Sequence, residues 1–419
     1  MSKGMKRIVS AAGVLCAIAG QNANAAAFQL HEQSATYLGV AYAGTASAAD
    51  LDASTAYYNP AFLTKMPNDQ VVVSGVYIKG RSKLYNASAI NNVGTPVVAT
   101  STDYPRLNSV VPGFNASKRI NCDWVVGLSV GAPFGLVTKY DATSVARYMA
   151  TTSKITSINI SPVVAYRITD QWSLGAGFDA MYIRSTLDAN IHFRTEGYVN
   201  NKGDAWTYGY HAGISFEPTR CTKMGLVYFS KYFPHISGSV TSSGYPSATP
   251  PTELTSDLTL PDRIVYGVSH QFNNKWQAMG ELEWVHWSTI KQLQLNYNNG
   301  QYTLENLSYE NTWRLSLGGM YHYSCAWLFK AGFMLDQSPV NTLHRVARLP
   351  DTDRLWLALG AKYKLTKFVS LDAAYSHLFF KNATIAQSGQ VPNDTAKKLY
   401  GNYRTSADLI GIQLTWNFV

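Results

Sequence analysis

After residue 25 this sequence has no long apolar run: nothing approaches the roughly 18 consecutive apolar residues that a membrane-crossing helix needs. Charge is scarce as well, at 15% of residues against about a quarter in soluble proteins. The first absence argues against a helical membrane protein and the second against an ordinary soluble domain. The nine histidines show no nucleophile partner and no metal-ligand spacing, so no enzyme constellation and no cofactor are expected. There is no CxxC pair. Net charge is +9, falling to +6 once Lys3, Lys6 and Arg7 are set aside. The remaining lysines and arginines are scattered rather than clustered on one surface, which argues against a nucleic-acid partner.

What is present is alternation. Trp172, Leu174, Ala176, Phe178, Ala180 and Tyr182 alternate with Ser173, Gly175, Gly177, Asp179 and Met181. Period-2 patterning means a strand with different solvents on its two faces. At about 3.3 Å per residue and a tilt of roughly 45°, that stretch climbs about 23 Å, close to the apolar band of an outer-membrane barrel. The pattern returns at Trp276 to Trp284, Trp327 to Asp336 and Leu409 to Phe418. A soluble sandwich would bury its aromatics centrally, whereas these sit at strand ends, the girdle position.

Residues 1–25 read as a secretory leader: Lys3, Lys6 and Arg7 precede the apolar run Ile8 to Ala19, and Ala23-Asn24-Ala25 supplies small residues for cleavage. Short polar turns fall at Lys118 to Asp123, Thr169 to Gln171, Glu217 to Lys223, Phe272 to Lys275, Tyr323 to Ala326 and Leu365 to Lys367. Longer Ser/Thr/Asn/Gly/Pro-rich stretches fall at Asn86 to Asp103, Val137 to Ser153, Ala189 to Gly203, Thr241 to Pro251, Asn296 to Gln301, Asn341 to Leu349 and Thr384 to Leu399. Short turns on one rim and long loops on the other give an all-β membrane fold, a 14-stranded antiparallel transmembrane β-barrel over residues 70–419. A barrel that wide is open unless filled. Residues 26–69 are alanine-rich, lack strand alternation and carry Asn59-Pro60-Ala61, as suits an N-terminal hatch within the lumen, with Ser34 to Ala49 partly helical. The expected location is the outer membrane of a Gram-negative cell, as a monomer among lipid and lipopolysaccharide. Cys122, Cys221 and Cys325 fall in turns of one rim about 20 Å or more apart, too far to bridge, so three free thiols are expected.

Ala27-Phe28-Gln29-Leu30-His31-Glu32, Leu38-Gly39-Val40-Ala41-Tyr42-Ala43-Gly44, Asn59-Pro60-Ala61, Pro133-Phe134-Gly135-Leu136, Ser338-Pro339-Val340 and Leu349-Pro350-Asp351-Thr352-Asp353-Arg354 follow one another in an order that resembles the FadL-like family. Its members are outer-membrane transporters for long-chain fatty acids and other hydrophobic compounds. The resemblance implies capture at outer loops, a lumenal pocket near the mature N-terminus, and lateral exit through a gap at a kinked third strand. It makes Pro133, Phe134 and Gly135 the candidate wall opening and Asn59, Pro60 and Ala61 hatch or gate residues. Ala26, Ala27 and Phe28 become candidate pocket residues. The family holds a carboxylate with basic lumenal side chains on the fifth and tenth strands. Here those stretches read Leu187-Asp188-Ala189 and Glu305 with Glu310, leaving Arg184, Arg194 and Lys330 as candidate cations. Alternation places Arg184 with Tyr182, toward lipopolysaccharide phosphates, and Lys330 facing inward, within reach of Glu281 or Glu283. The competing expectation is a nonselective porin-like or surface-interaction barrel.

Overall fold

The alternating stretches are parts of one closed antiparallel sheet. The computed structural model describes residues 27–99, 104–192, 195–244, 250–389 and 396–418. The leader 1–25, Ala26, Arg194 and Val419 lie outside the described residues. The wall comprises 14 strands: β1 (Gln70–Ile90), β2 (Arg106–Arg119), β3 (Trp124–Gly131, resuming as Gly135–Lys139), β4 (Thr152–Arg167), β5 (Trp172–His192), β6 (Glu196–Thr219), β7 (Thr222–Phe229 and His235–Ser243), β8 (Glu253–Asp257 and Arg263–Gln271), β9 (Trp276–Val285 and Gln292–Tyr297), β10 (Tyr302–Asn306 and Thr312–His322), β11 (Trp327–Asp336), β12 (Arg354–Lys364), β13 (Val369–Phe380 and Ala383–Ser388) and β14 (Lys398–Asn417). Neighbours in sequence are neighbours in space, and β1 pairs with β14 from Gln70 opposite Asn417 to Ile90 opposite Lys398. Closure removes the sheet edges that hydrocarbon would leave unsatisfied.

Side-chain parity follows the sequence pattern. Trp172, Leu174 and Phe178 are exposed while Ser173, Asp179 and Met181 are buried, and Ile410, Ile412, Leu414 and Trp416 are exposed opposite buried Gln413 and Thr415. An outer face this apolar is a lipid face. Near the short turns the aromatics of adjacent strands meet: Trp172 with Phe216 at 4.2 Å, Trp124 with Tyr166 at 4.6 Å, and Trp327 with Tyr363 at 4.5 Å between ring centroids. These pairs form the girdle at that rim. Cys122, Cys221 and Cys325 lie there too, exposed and free.

At the other rim the strands run further than expected. β5 and β6 pair without interruption to His192 opposite Glu196, so most of the loop expected over Ala189 to Gly203 is ladder. β1 reaches Ile90, and β3 resumes into Lys139 inside the loop expected over Val137 to Ser153. Where both faces are wet the apolar alternation disappears, although backbone pairing continues.

The chain from Ala27 to Asp69 fills the lumen. It contains two single-turn helices, α1 (Ala35–Leu38) and α2 (Thr55–Tyr58), and a 3₁₀ turn, Pro60–Lys65. The expected helicity over Ser34 to Ala49 is confined to α1; the rest is tight turns. Tyr37, Leu38 and Tyr42 are fully buried and pack among wall residues such as Val76, Met334 and Trp356. Inward-facing glycines admit this backbone: a Cβ on Gly332 would collide with the Val40 carbonyl, and one on Gly225 with the Ala46 carbonyl.

Candidate functional site

The third strand is broken where its proline stands. β2 pairs with β3 from Phe114 opposite Val130 to Arg119 opposite Val125, and the two touch again only at Arg106 opposite Lys139. Proline cannot donate to a ladder, so the wall opens over Ala132-Pro133-Phe134. The hatch occupies the opening. The Leu30 N–H donates to the Pro133 carbonyl at 2.8 Å, and the Gly135 N–H donates to the Phe28 carbonyl at 2.8 Å. The Gln33 carboxamide closes the other end, donating to the Ala132 carbonyl at 2.7 Å and accepting from the Ala132 N–H at 2.9 Å. Phe134 is tied to β4, its N–H donating to Ser157 Oγ at 3.0 Å. Phe28 to Gln33 thus stands in for the missing ladder, satisfying backbone groups that lipid could not.

Beside this seam lies an apolar pocket, open at its mouth, with a cavity volume of about 70 Å³. Phe28 forms part of its wall, with Leu136, Ile183, Leu187, Leu293 and Leu349 among its partners. The Phe28 ring stands edge-on to Trp287 at 5.1 Å and 6.0 Å from Phe134. One residue therefore touches both the pocket and the wall opening. The pocket has one charged end, formed by Glu305 of β10 and Arg348 of the β11–β12 loop, with Arg348 Nε donating to Glu305 Oε1 at 2.9 Å. Arg348 Nη1 is committed to Ser153 Oγ at 3.2 Å and to the carbonyls of Asp188 and Thr152.

Ion clusters fasten the hatch below the pocket. Glu283 accepts from Gln29 at 2.9 Å and from Arg263 and Arg314, while Glu281 accepts from Thr45, the Ala46 N–H and Arg314. His31 lies 3.7 Å from Glu283. On the β5–β6 side Asp179 holds His211, whose other ring nitrogen meets the Ala56 carbonyl at 3.1 Å. Burial pushes the Glu32 carboxyl up to about 8, and burial lowers His31 to about 3 despite Glu283 beside it. Both hatch residues are thus neutral near pH 7.

The candidates separate under this geometry. Phe28, Pro133, Phe134 and Gly135 converge on the seam, and the Ala27 N–H donates to Asp351 Oδ2 at 2.9 Å beside it. Asn59 is elsewhere: its carboxamide donates to the carbonyls of Ala46 at 2.7 Å and Ile214 at 3.2 Å and caps Ala61 at 3.2 Å, with Pro60 opening the 3₁₀ turn against β5. That motif fastens the hatch to β5, β6 and β7. Arg184 is not a lumenal cation; it is exposed on the outer face and donates to Tyr182 Oη at 3.0 Å. Lys330 faces inward but away from the pocket, and its partners are Asp50 and Asp372, each at 2.6 Å, rather than Glu281 or Glu283, which Arg314 has taken. Arg348, the cation actually bordering the pocket, escaped the sequence reading because loop residues carry no strand parity. Its closeness to the Leu349-Pro350-Asp351 match was the available signal.

Comparison with known proteins places these features in a wider group. A family model described as "Outer membrane protein transport protein (OMPP1/FadL/TodX)" matches residues 16–418. Outer membrane protein P1 of Haemophilus influenzae is 27% identical over 449 aligned positions, covering 96% of this chain and 97% of that protein. The long-chain fatty acid transport protein of Escherichia coli K12 is 26% identical, covering 90% and 93%. Among solved structures, a Pseudomonas aeruginosa FadL homologue superposes with a TM-score of 0.86 at 22% identity, covering 94% of this chain and all of that one. The Pseudomonas putida toluene transporter TodX superposes at 0.71 and 15% identity, with 94% and 100% covered.

Proposed function

The chain belongs to the OMPP1/FadL/TodX family of outer-membrane transport proteins, and we propose that it takes up long-chain fatty acids or similar hydrophobic compounds by lateral release through the break in β3. Transport of hydrophobic small molecules across the outer membrane is the activity of the family, whose members are transport proteins rather than enzymes. The finer reading rests on one observation: Phe28 borders the apolar pocket with its side chain and bonds the Pro133–Gly135 opening with its carbonyl. A solute held in the pocket therefore lies against the segment that seals the wall. Displacing that segment joins the pocket to the hydrocarbon outside. The route keeps an apolar solute out of water throughout, where exposure costs about 0.8 kcal/mol per methylene. No energy source and no cofactor enter this scheme.

The test is a repaired third strand. Replacing Ala132-Pro133-Phe134 by Val-Thr-Val restores the missing ladder donor and alters none of the residues that line the pocket. Cells producing the repaired chain are expected to lose uptake of a radiolabelled hydrophobic solute while the barrel still reaches the outer membrane. Unchanged uptake would overturn lateral exit.

A further inference from the structure

The polar end of the pocket is unlike the cationic end that a carboxylate requires. Glu305 and Arg348 neutralise one another at 2.9 Å. Arg348 Nε is spent on Glu305, and Nη1 on Ser153 and two carbonyls. Glu305 Oε2, by contrast, is buried and accepts no hydrogen bond from any described residue. A second polar atom in the lining, Ser256 Oγ, is likewise buried and unpartnered. Everything else around it is overwhelmingly aliphatic: Ile183, Leu187, Leu258 and Leu293 belong to the same wall.

A buried carboxylate oxygen without a donor is costly. A ligand that brings an O–H or N–H to it recovers that cost, and one that brings a second carboxylate adds like-charge repulsion. We infer that this pocket selects long apolar molecules with an uncharged, hydrogen-bond-donating head, such as a fatty alcohol, over fatty carboxylates, with Glu305 as acceptor and Ser256 as a second hydrogen-bonding group. The inference rests on the uptake reading above, because it names the solute class of that same pocket. Arg348 holds Glu305 in place and keeps the pair neutral, so it is a positioning residue here.

The experiment compares two ligands of equal chain length, 1-dodecanol and dodecanoate, at pH 9, where dodecanoate is ionised. Each displaces the fluorescent probe N-phenyl-1-naphthylamine from the purified full-length protein. On the native chain dodecanol is expected to compete at about tenfold lower concentration, the worth of one hydrogen bond to a charged group. A preference due only to desolvation of the carboxylate would survive any change at Glu305. In Glu305→Gln the charge is gone and Arg348 is uncompensated, so dodecanoate is expected to gain about tenfold and erase the preference. Equal competition on the native chain, tighter dodecanoate, or an unaltered ratio in a folded Glu305→Gln would each overturn the inference while leaving the uptake reading intact. Displacement by neither ligand would overturn both. Equal competition or tighter dodecanoate on the native chain overturns the inference without the variant, so a failure of Glu305→Gln to fold does not shelter the proposal.

Discussion

Two neighbouring hatch residues carry opposite protonation debts. Glu32 is buried, neither carboxyl oxygen has a hydrogen-bond partner among the described residues, and it faces Arg354 and Asp336; burial raises it from 4.5 to about 8. His31 is buried facing Glu283, Arg314, Arg263 and Arg354, and burial lowers it from 6.5 to about 3. Between pH 4.5 and 8 the docked hatch holds a proton on Glu32 that an undocked hatch would release, so docking weakens as pH rises. Between pH 3 and 6.5 the docked His31 lacks a proton that the undocked ring would bind, so docking strengthens as pH rises. The slopes are about 1.4 kcal/mol per pH unit each and cancel from pH 4.5 to 6.5. Hatch docking should therefore be firmest in that window and lose about 2 kcal/mol by pH 8. A nitroxide on Leu51→Cys, with Cys122, Cys221 and Cys325 changed to serine, reads the docked fraction as its immobile component. Glu32→Gln should remove the alkaline decline and leave the acid one; an alkaline decline that persists in Glu32→Gln would assign it to another group.

At the scale of elements, the working part is a six-residue segment standing in for a missing piece of strand. Gln29 and Phe134 form an antiparallel bridge, and residues opposed in that way have Cα atoms about 4.5–5.5 Å apart, within the reach of a disulfide. In the same serine background, Gln29→Cys with Phe134→Cys should oxidise to one bridge. Uptake should stop on oxidation and return on reduction, with barrel content unchanged; undiminished uptake by the bridged form would mean that the segment stays put during transport. The sequence made part of this device readable. Pro133 was readable chiefly through the family resemblance, since Pro112 and Pro162 also stand inside paired strands, whereas Trp172 to Tyr182 announced its strand because lipid and lumen demand opposite side chains. Less legible were the interruptions of β7 to β10, where residues 230–234, 258–262, 286–291 and 307–311 leave the ladder at one level of the wall. Those interruptions carry no shared motif, and they let Trp287 and Tyr309 turn inward beside the pocket. Arg348 was hidden for a related reason: its position is set by a loop that crosses to β4 and β5, a tertiary arrangement with no periodic trace.

For the whole molecule the decisive fact is that a wide barrel is filled by its own N-terminal segment. Fourteen strands enclose more than side chains alone can fill, approaching the open 16-stranded porins. Here the hatch fills the difference and is held by charges on nearly every side: Glu281, Glu283 and Arg314 toward β9 and β10, Lys330 and Asp372 toward β11 and β13, and Asp179 with His211 toward β5 and β6. Buried ions of this kind fix position more than they add stability, since their desolvation offsets most of their attraction. That distinction decides what removing the hatch would do. Taking out residues 28–66 admits water to the lumen, so those ions become solvated rather than stranded, and the wall, whose strand pairing closes without hatch residues, should still insert. In planar bilayers the intact chain should then pass only small or brief currents, and the hatchless chain a large, steady one. Large steady currents from the intact chain would show that the hatch is not a plug and favour the nonselective porin. A hatchless chain that inserts yet stays silent would mean that the wall itself closes the lumen.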